Sequence, residues 1–302
     1  MRCAHREHGM KLGVVGLGRM GAAMSERLRQ QGFAVVGWDH NVGANQTSAA
    51  SGLRIADNAR DVAADSEIVI ISVTEDHGVR RIFTGPEGFL AADVRGKLFI
   101  EMSTLQPMTG RELAQLVEAK GARMIEAPVL GTIPQVRNGT LFAMVGGCAE
   151  DLERARPVLE KLTRRISHMG PHGSGYAMKL AANLGLGSYI QALAEALALG
   201  LQQGLVLDQM LEVLQESATA SDWLRAKIGV LKGGKDEMTL DIRTLRKDIM
   251  SAVATGALTG VPMPVAAGAL ASLSAAVDGE YGSRDLAELP KFFREGMLQR
   301  FS

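Results

Sequence analysis

The sequence predicts two architectures in one chain: an α/β N-terminal half with a doubly wound, largely parallel sheet, and an all-α C-terminal half. Two observations predict them. Over about the first 170 residues, short β-rich runs alternate with amphipathic helical segments, which is typical of parallel sheets. From Gly173 onward the strand pattern ends, and Ala, Leu, Met and Gln recur at helical period.

The individual elements follow from the same patterns. The predicted strands of the first half are Lys11–Val15, Ala34–Trp38, Glu67–Val73, Lys97–Met102, Arg123–Ala127, Leu141–Val145 and Arg165–Met169. The amphipathic segments between them include Arg19–Gln31, Pro107–Lys120 and Ala149–Leu162. In the second half, helices are predicted over 175–203, 207–217, 221–231, 239–256, 263–277 and 285–298.

The glycine-rich segment "HMGPHGSG" at 168–175 separates the two patterns. We therefore expect a first domain over 10–172 and a helical domain over 173–302. The opening "MRCAHREHG" is polar and charged and lacks the apolar run of a secretory signal, so a disordered extension is expected over 1–9.

Composition narrows the classes of partner. Of 302 residues, 46% are hydrophobic, and Lys+Arg balance Asp+Glu at 33 each, so no net field favours nucleic acid or an acidic membrane. The longest apolar stretch, 192–201, is interrupted by Glu195 and is too short to span a bilayer. Cys3 and Cys148 are the only cysteines and give neither a disulfide framework nor a zinc spacing. We expect a cytoplasmic protein with small-molecule partners and no metal.

The stretch "KLGVVGLGRMGAAM" at 11–24 runs from a short strand through three glycines into a helix. Glycines at this spacing permit a tight turn, close approach of a pyrophosphate, and packing of helix on strand. A glycine-rich turn without a ligand is the alternative, but the next strand, "AVVGWD", follows where a dinucleotide-binding unit requires it. We predict a Rossmann-type cofactor site. Its predicted loop residues are Gly16, Leu17, Gly18, Arg19, Met20 and Gly21.

Asp39 ends that second strand, 18 residues after Gly21. A carboxylate about 20 residues beyond the glycines binds the adenosine ribose hydroxyls and repels a 2′-phosphate. The following residues, His-Asn-Val, include no Arg, so NAD is favoured over NADP. The alternative is that Asp39 is a turn residue that ends the strand.

Small hydroxylated residues follow two further strands, in "ISVTED" at 71–76 and "EMSTLQP" at 101–107. Ligands of open α/β sheets bind at the carboxyl ends of strands. Ser72, Val73, Ser103 and Thr104 are therefore candidates to line the cofactor crevice, while N-capping of the next helix is the other explanation of such residues.

Lys179 and Asn183 lie one helical turn apart in "GSGYAMKLAANL" at 173–184. A desolvated lysine exchanges a proton near neutral pH and can serve as a general acid/base, and an amide one turn away can orient a hydroxyl or carboxylate. The alternative is a snorkelling or salt-bridged lysine on a packed helix.

The motifs together resemble the 3-hydroxyisobutyrate dehydrogenase family of β-hydroxyacid dehydrogenases, to which 6-phosphogluconate dehydrogenase is more distantly similar. The resemblance covers about residues 11–298 and rests on "GLGRMGAAM", "EMSTLQP", "EAPVLGTIPQVRNGTLFAMVGG", "GSGYAMKLAANL" and "RKDIMSA". It implies that the glycine loop binds NAD(P) and that Thr104 contacts the nicotinamide side. It further implies that Lys179 is the catalytic acid/base, Asn183 binds substrate, and Lys247 reaches the cofactor site.

Two departures from the family pattern concern the substrate. The family usually has "APVSGG" where this chain has "APVLGT", so Leu130 replaces a serine that helps to hold the substrate carboxylate. The backbone N–H groups of Leu130, Gly131 and Thr132 remain candidates to bind an anion. Ala182 stands where the family commonly has Asn or His. Both changes make the expected pocket less polar.

The resemblance implies an NAD(P)-dependent enzyme that interconverts a small 3-hydroxy acid and its semialdehyde or keto acid. Two alternatives stay open: an imine reductase on the same scaffold, and a non-catalytic NAD-binding protein. Because segment 184–201 is apolar around most of its circumference, we also expect the helical domain to form a homodimer or homotetramer.

Overall fold

The computed structural model describes residues 9–236 and 238–298. The described chain divides into two compact units, the first ending at Leu180 and the second beginning at Ala181. The extension predicted over 1–9 lies outside the described residues, apart from Gly9. The division falls inside a helix, Ser174–Gln202, whereas the sequence pattern placed the domain boundary in the glycine-rich segment before it.

The first unit contains a nine-stranded sheet in the order β3-β2-β1-β4-β5-β6-β8-β7, with β9 paired to β8. Its strands are β1 (Lys11–Val15), β2 (Ala34–Trp38), β3 (Arg54–Ile55), β4 (Ile68–Ile71), β5 (Leu98–Glu101), β6 (Arg123–Glu126), β7 (Val129–Leu130), β8 (Leu141–Gly146) and β9 (Thr163–Gly170). Strands β1 to β6 pair in parallel, whereas β8 runs antiparallel to β6 and β7. The predicted fold class is confirmed.

Helices connect these strands. They are α1 (Arg19–Gln30), α2 (Val42–Ala50), α3 (Ala59–Asp65), α4 (Asp76–Thr84), α5 (Pro107–Ala119), α6 (Ile133–Asn138) and α7 (Ala149–Leu162). The continuous apolar runs of the strands are explained by burial on both faces of the sheet. Ile68 and Ile70 of β4 join one hydrophobic core, while Val69 and Ile71 of the same strand join the other. Because strands β1 to β6 are parallel, their carboxyl ends all lie at the same edge of the sheet.

The second unit is helical in the described residues. It contains most of α8 (Ser174–Gln202), then α9 (Leu207–Glu216), α10 (Asp222–Leu231), α11 (Ile242–Thr259), α12 (Pro264–Ala276) and α13 (Leu289–Leu298). By length and composition alone, α8 could cross a membrane. Core helices of globular proteins meet the same criterion, and α8 buries Ile190 and Ala194 in the core of this unit.

Two short strands, β3 and β7, were missing from the sequence prediction. Each has two residues, too few for an alternating pattern to be recognised. The remaining differences are shifts of a few residues at element ends, where helices fray and hydrogen bonding decides the boundary. Helix α11, for example, is shifted by three residues from the predicted 239–256, because Asp241 caps it by accepting the N–H of Thr244 at 2.7 Å.

The helical unit exposes large apolar side chains. Each of four such side chains is about two-thirds exposed: Leu199, Val213, Leu258 and Val265. Val261, which lies between Leu258 and Val265 in the sequence, is also exposed. Exposed apolar side chains of this size are common at protein interfaces. We propose that this unit self-associates, as the apolar sequence of α8 led us to expect.

Sedimentation velocity at micromolar concentration should therefore give a dimer or tetramer of the 32.1 kDa chain. Val265→Glu should shift the distribution toward monomer, because a charge would be buried in the interface. Val42→Glu, at an equally exposed valine of the first unit, is the matched control and should leave the distribution unchanged. A stable wild-type monomer would contradict the proposal.

Candidate active site

The glycine loop follows β1 and leads into α1. Gly16 has a φ of +92°, and a Cβ there would lie 2.2 Å from the Ser72 carbonyl oxygen. A Cβ on Gly21 would lie 1.8 Å from the Gly16 carbonyl oxygen. A Cβ on Gly18, at the start of α1, would meet no atom within 4 Å. Gly16 and Gly21 allow the close backbone contacts of the turn. Gly18 leaves space before the helix N-terminus, as a pyrophosphate requires.

Asp39 lies beside this loop. One of its carboxylate oxygens accepts the N–H of Leu17 at 2.6 Å, and the other accepts the N–H of Asn41 at 2.7 Å. The side chain is buried, and His40 Nδ1 lies 3.1 Å from the oxygen that accepts Asn41. The oxygen that accepts Leu17 can accept a second hydrogen bond, since each carboxylate oxygen can accept two. Asp39 therefore supports the glycine loop and has the chemistry to bind ribose hydroxyls as well.

Asp39→Ala is expected to narrow the preference for NADH over NADPH, because it removes both the ribose bonds and the repulsion of a 2′-phosphate. It also leaves the Leu17 and Asn41 N–H groups without this acceptor, so affinity for both cofactors should fall. The measurement is the ratio of kcat/KM for the two cofactors. Asp39→Asn, which keeps an acceptor but not the charge, separates the two effects. A wild-type enzyme that already used NADPH tenfold better would contradict the role assigned to Asp39.

The strand-end candidates lie close to the loop. Ser72 donates its N–H to Val15, and its carbonyl oxygen is the atom that excludes a side chain at Gly16. The Ser103 hydroxyl accepts the N–H of Val73 at 3.0 Å, which ties the ends of β4 and β5 together. Ser103 is buried and Thr104 is half-buried. The structure thus brings the predicted crevice residues to one edge of the sheet.

The turn after β7 contains the predicted substrate-binding residues. Gly131 has a φ of +129°, a conformation that favours glycine, and a Cβ there would lie 2.6 Å from Leu141. The N–H of Thr132 donates to the Gln135 side chain at 2.9 Å within a capping box at the start of α6. The sequence analysis treated this N–H as a candidate anion donor, but an anion would have to displace Gln135 to reach it.

Leu130 and Val129 point to opposite faces of β7. Val129 is buried in the hydrophobic core, whereas Leu130 is only half-buried and pairs across the ladder with Phe142. Leu130 therefore lies on the face away from that core.

Lys179 lies in the second turn of α8 and is half-buried. Its Nζ donates a hydrogen bond of 2.9 Å to the carbonyl oxygen of Val129. This bond places the ammonium group beside the 129–132 turn, next to Leu130. The structure therefore brings together the predicted catalytic lysine and the predicted substrate-binding turn.

Asn183, one turn further along α8, is buried in the second unit. Its Nδ2 donates to Asp248 at 2.5 Å, and Asp248 also lies 2.9 Å from the Lys247 ammonium group. Because a carboxylate only accepts hydrogen bonds, the amide nitrogen of Asn183 must face Asp248. Asn183 and Lys247 thus share one acidic partner, which the sequence analysis did not identify although it lies in the quoted "RKDIMSA" motif.

Comparison with known proteins decides the family. Residues 11–170 match the family model described as the NAD binding domain of 6-phosphogluconate dehydrogenase, and residues 173–293 match that of NADP-dependent 3-hydroxyisobutyrate dehydrogenase. The 3-hydroxyisobutyrate dehydrogenase of Pseudomonas aeruginosa is 33% identical over 293 residues, which cover 94% of this chain and 98% of that protein. The chain belongs to the 3-hydroxyisobutyrate dehydrogenase family.

Other relatives show how varied this family is. The 2-(hydroxymethyl)glutarate dehydrogenase of Eubacterium barkeri is 33% identical and matches over 86% of this chain and 87% of that protein. A solved structure of the Mycobacterium tuberculosis 3-hydroxyisobutyrate dehydrogenase with L-serine superposes with a TM-score of 0.83 at 29% identity, covering 94% of this chain and 99% of that one. The resemblance read from the motifs is confirmed, and the chain is an oxidoreductase whose cofactor is NAD or NADP.

This member of the 3-hydroxyisobutyrate dehydrogenase family also contains two buried carboxylates that the sequence analysis missed. Glu101 ends β5 and Glu126 ends β6, and the two are direct neighbours in the parallel register. The Tyr176 hydroxyl donates to Glu101, and the Tyr176 N–H donates to Glu126 at 3.1 Å. Burial raises the pKa of Glu101 to about 7 and also raises the pKa of Glu126.

The raised pKa of Glu101 predicts a pH-dependent stability. An unfolded glutamate titrates near 4.5, so the folded chain binds more protons than the unfolded chain between pH 4.5 and about 7. The stabilisation from protonated Glu101 is full below pH 4.5 and is lost as the pH rises through 7. Its loss between pH 5 and pH 8 should lower the free energy of unfolding by about 2 to 3 kcal/mol.

Urea titrations of the wild type and Glu101→Gln at pH 5 and pH 8 would measure this contribution. The variant cannot ionise, so it should lack this part of the pH dependence. Glu87→Gln, at an exposed glutamate in the loop after α4, should keep the wild-type difference in unfolding free energy between the two pH values. If the unfolding free energy changed equally between pH 5 and pH 8 in the wild type and in Glu101→Gln, the titration of Glu101 would be contradicted.

Proposed function

We propose that the enzyme interconverts a small 3-hydroxy acid and its semialdehyde or keto acid, with Lys179 as the acid/base. The observation that carries the proposal is the hydrogen bond from Lys179 Nζ to the Val129 carbonyl, which holds the lysine beside the 129–132 turn. An ordinary surface lysine would extend into solvent instead. Asn183 one turn away adds a second polar group on the same helix face.

The residues of the first unit fit a dinucleotide. The open space at Gly18 provides room for a pyrophosphate, and the start of α1 provides N–H donors for it. The buried Asp39 carboxylate provides acceptors for the ribose hydroxyls. When bound, NAD(P) supplies or accepts the hydride. We propose that Ser72, Val73, Ser103 and Thr104 line its crevice, and that Lys247 contributes to the cofactor side of the site.

During reduction, the Lys179 ammonium donates a proton to the substrate carbonyl oxygen as that oxygen gains negative charge. During oxidation, the neutral amine accepts the proton of the substrate hydroxyl. The Val129 carbonyl suits both states, because it only accepts and the lysine nitrogen keeps an N–H to donate whether or not it is protonated. A carboxylate in its place would favour the ammonium form and resist proton loss.

Asn183 offers its carbonyl oxygen to the substrate, since its nitrogen is held by Asp248. An acceptor at this point suits the hydroxyl of a hydroxy acid better than its carboxylate, which would be repelled. We propose that the substrate carboxylate binds instead at the turn that includes Gly131. The Gly131 N–H is the proposed donor there, and the Thr132 N–H can join it only if Gln135 is displaced. Leu130 contributes apolar surface to the same turn.

An imine reductase would need no lysine acid/base at position 179. A non-catalytic NAD-binding protein would need no polar side chain at position 179 or 183. The presence of Lys179, Asn183 and Lys247 with ordered partners favours hydroxy-acid chemistry over both.

An assay of NADH and NADPH consumption with a panel of small semialdehydes, keto acids and cyclic imines would test the proposal. Turnover of semialdehydes or keto acids, with NADH preferred, is the expected result. Turnover confined to imines would support the imine-reductase alternative. Cofactor binding without turnover of any compound would support the non-catalytic one.

A further inference from the structure

The carboxylate of Glu126 faces the N-terminus of α8, the helix that carries Lys179. It accepts the N–H groups of Gly173 and Tyr176, the latter at 3.1 Å. The Glu126 side chain is 0% exposed, so these bonds replace its hydration. A negative charge at a helix N-terminus is also favoured by the helix dipole. Glu126 therefore fixes where the first turn of α8 begins.

A second link joins the same two segments. Val129, three residues after Glu126, accepts the hydrogen bond from Lys179 Nζ, and Lys179 follows Tyr176 by three residues. The strand segment 126–129 and the first two turns of α8 are thus connected at both ends, once through the Glu126 side chain and once through the Lys179 side chain. A shift of the helix start would move Lys179 relative to the Val129 carbonyl.

The Glu126 anchor is part of a longer buried chain. The Tyr176 hydroxyl donates to Glu101, which accepts the N–H of Ser103 at 3.1 Å, and the Ser103 hydroxyl accepts the N–H of Val73. These hydrogen bonds, joined through Tyr176 and Ser103 themselves, connect the proposed cofactor crevice to the start of the helix that carries Lys179.

Packing leaves the Glu126 carboxylate little freedom. A Cβ on Gly146 would lie 2.7 Å from its Oε2 atom, and a Cβ on Gly175 would lie 2.6 Å from the Met144 carbonyl oxygen. His172 Nδ1 lies 3.8 Å from Glu126 Oε1, and the positive charge of Arg111 favours the ionised carboxylate. Gly175, the second glycine of "GSG", is therefore needed where the first turn of α8 packs against β8.

We infer that Glu126 is a positioning residue for Lys179: its carboxylate sets the start of α8 so that the lysine nitrogen meets the Val129 carbonyl and the substrate oxygen. The inference rests on the proposed role of Lys179 as acid/base. A displacement of about 1 Å in a catalytic group lowers the rate by up to about a hundredfold.

Glu126→Gln tests this directly, because the side chain keeps its size but turns an N–H₂ group toward backbone N–H donors. Turnover per NADH-binding site, counted by fluorescence titration, should fall about tenfold to a hundredfold while the Kd for NADH stays unchanged. Counting sites removes any loss due to unfolded protein. Glu87→Gln, the same change at an exposed glutamate in the loop after α4, is the control and should retain wild-type turnover.

Glu126→Asp keeps the charge and should recover part of the lost turnover; it also provides a second test if Glu126→Gln does not fold. A Glu126→Gln variant with a lower Tm but wild-type turnover per site would overturn the inference, since Glu126 would then be purely structural.

In a Lys179→Ala background, Glu126→Gln should cause no further loss of turnover, because both changes remove the same contribution. Additive losses would overturn the inference.

These outcomes are distinct from failure of the proposed function. If Lys179→Ala alone retained turnover, the acid/base role would be wrong. If Lys179→Ala were inactive and Glu126→Gln were normal, only the positioning role would be wrong.

Discussion

Lys179→Ala is expected to lower kcat by about 10²–10⁴-fold while the Kd for NADH stays nearly unchanged. The loss follows because the ammonium group beside the 129–132 turn would no longer neutralise the developing negative charge on the substrate oxygen. NADH binding should persist, since the glycine loop and Asp39 do not depend on the lysine. Stopped-flow or steady-state turnover, combined with fluorescence titration of NADH, measures both quantities.

Two further variants make this result specific. Lys179→Arg keeps a positive charge, but a guanidinium group does not release its proton, so it should be nearly as inactive as alanine. Lys120→Ala, at an exposed lysine after α5, controls for loss of charge and should behave as the wild type. Near-normal turnover by Lys179→Ala would disprove the acid/base role, and near-normal turnover by Lys179→Arg would reduce that role to electrostatics.

Leu130→Ser is expected to raise kcat/KM for small hydroxy acids such as 3-hydroxyisobutyrate, and for tartronate semialdehyde in the reverse direction. A hydrogen bond to a charged group contributes about 1.5–3 kcal/mol, which corresponds to about a tenfold to a hundredfold gain. The half-buried Leu130 lies opposite the core face of β7 and next to the carbonyl that binds Lys179, so a hydroxyl there would be close to the substrate carboxylate.

The competing explanation of Leu130 is packing against its ladder neighbour Phe142. In that case the serine variant would melt earlier and gain no activity toward any hydroxy acid. Tm values measured beside the kinetics separate the two. Leu116→Ser, at a leucine of α5 that is 38% exposed, gives the stability cost of the same substitution away from the site.

The parts of the site that the sequence predicted are local in the chain. The glycine loop is a strand, a turn and a helix within about a dozen residues, and Lys179 and Asn183 are separated by one helical turn. Their spacing alone placed them correctly on their elements. The Thr132 capping box was also readable, since Thr and Gln stand three residues apart in "TIPQ", but it was not recognised.

The missed residues have distant partners. Glu126 meets Gly173 and Tyr176, 47 and 50 residues away, and Asn183 meets Asp248 across 65 residues. No periodicity in the chain links such positions, because contacts of this length depend on how strands and helices pack. The sequence signal that pointed to Glu126 was a glutamate inside the predicted strand 123–127, where a charged residue is unusual.

The three glycines of the cofactor loop meet two different requirements. Gly16 and Gly21 have no room for a side chain even in the protein alone, so any chain that keeps this fold must keep them. Gly18 faces open space, and an alanine there would disturb nothing but an incoming ligand. A descendant that had abandoned its cofactor would be free to lose Gly18 while retaining the other two. This chain has glycine at all three positions, so it meets the requirement of the ligand as well as that of the fold.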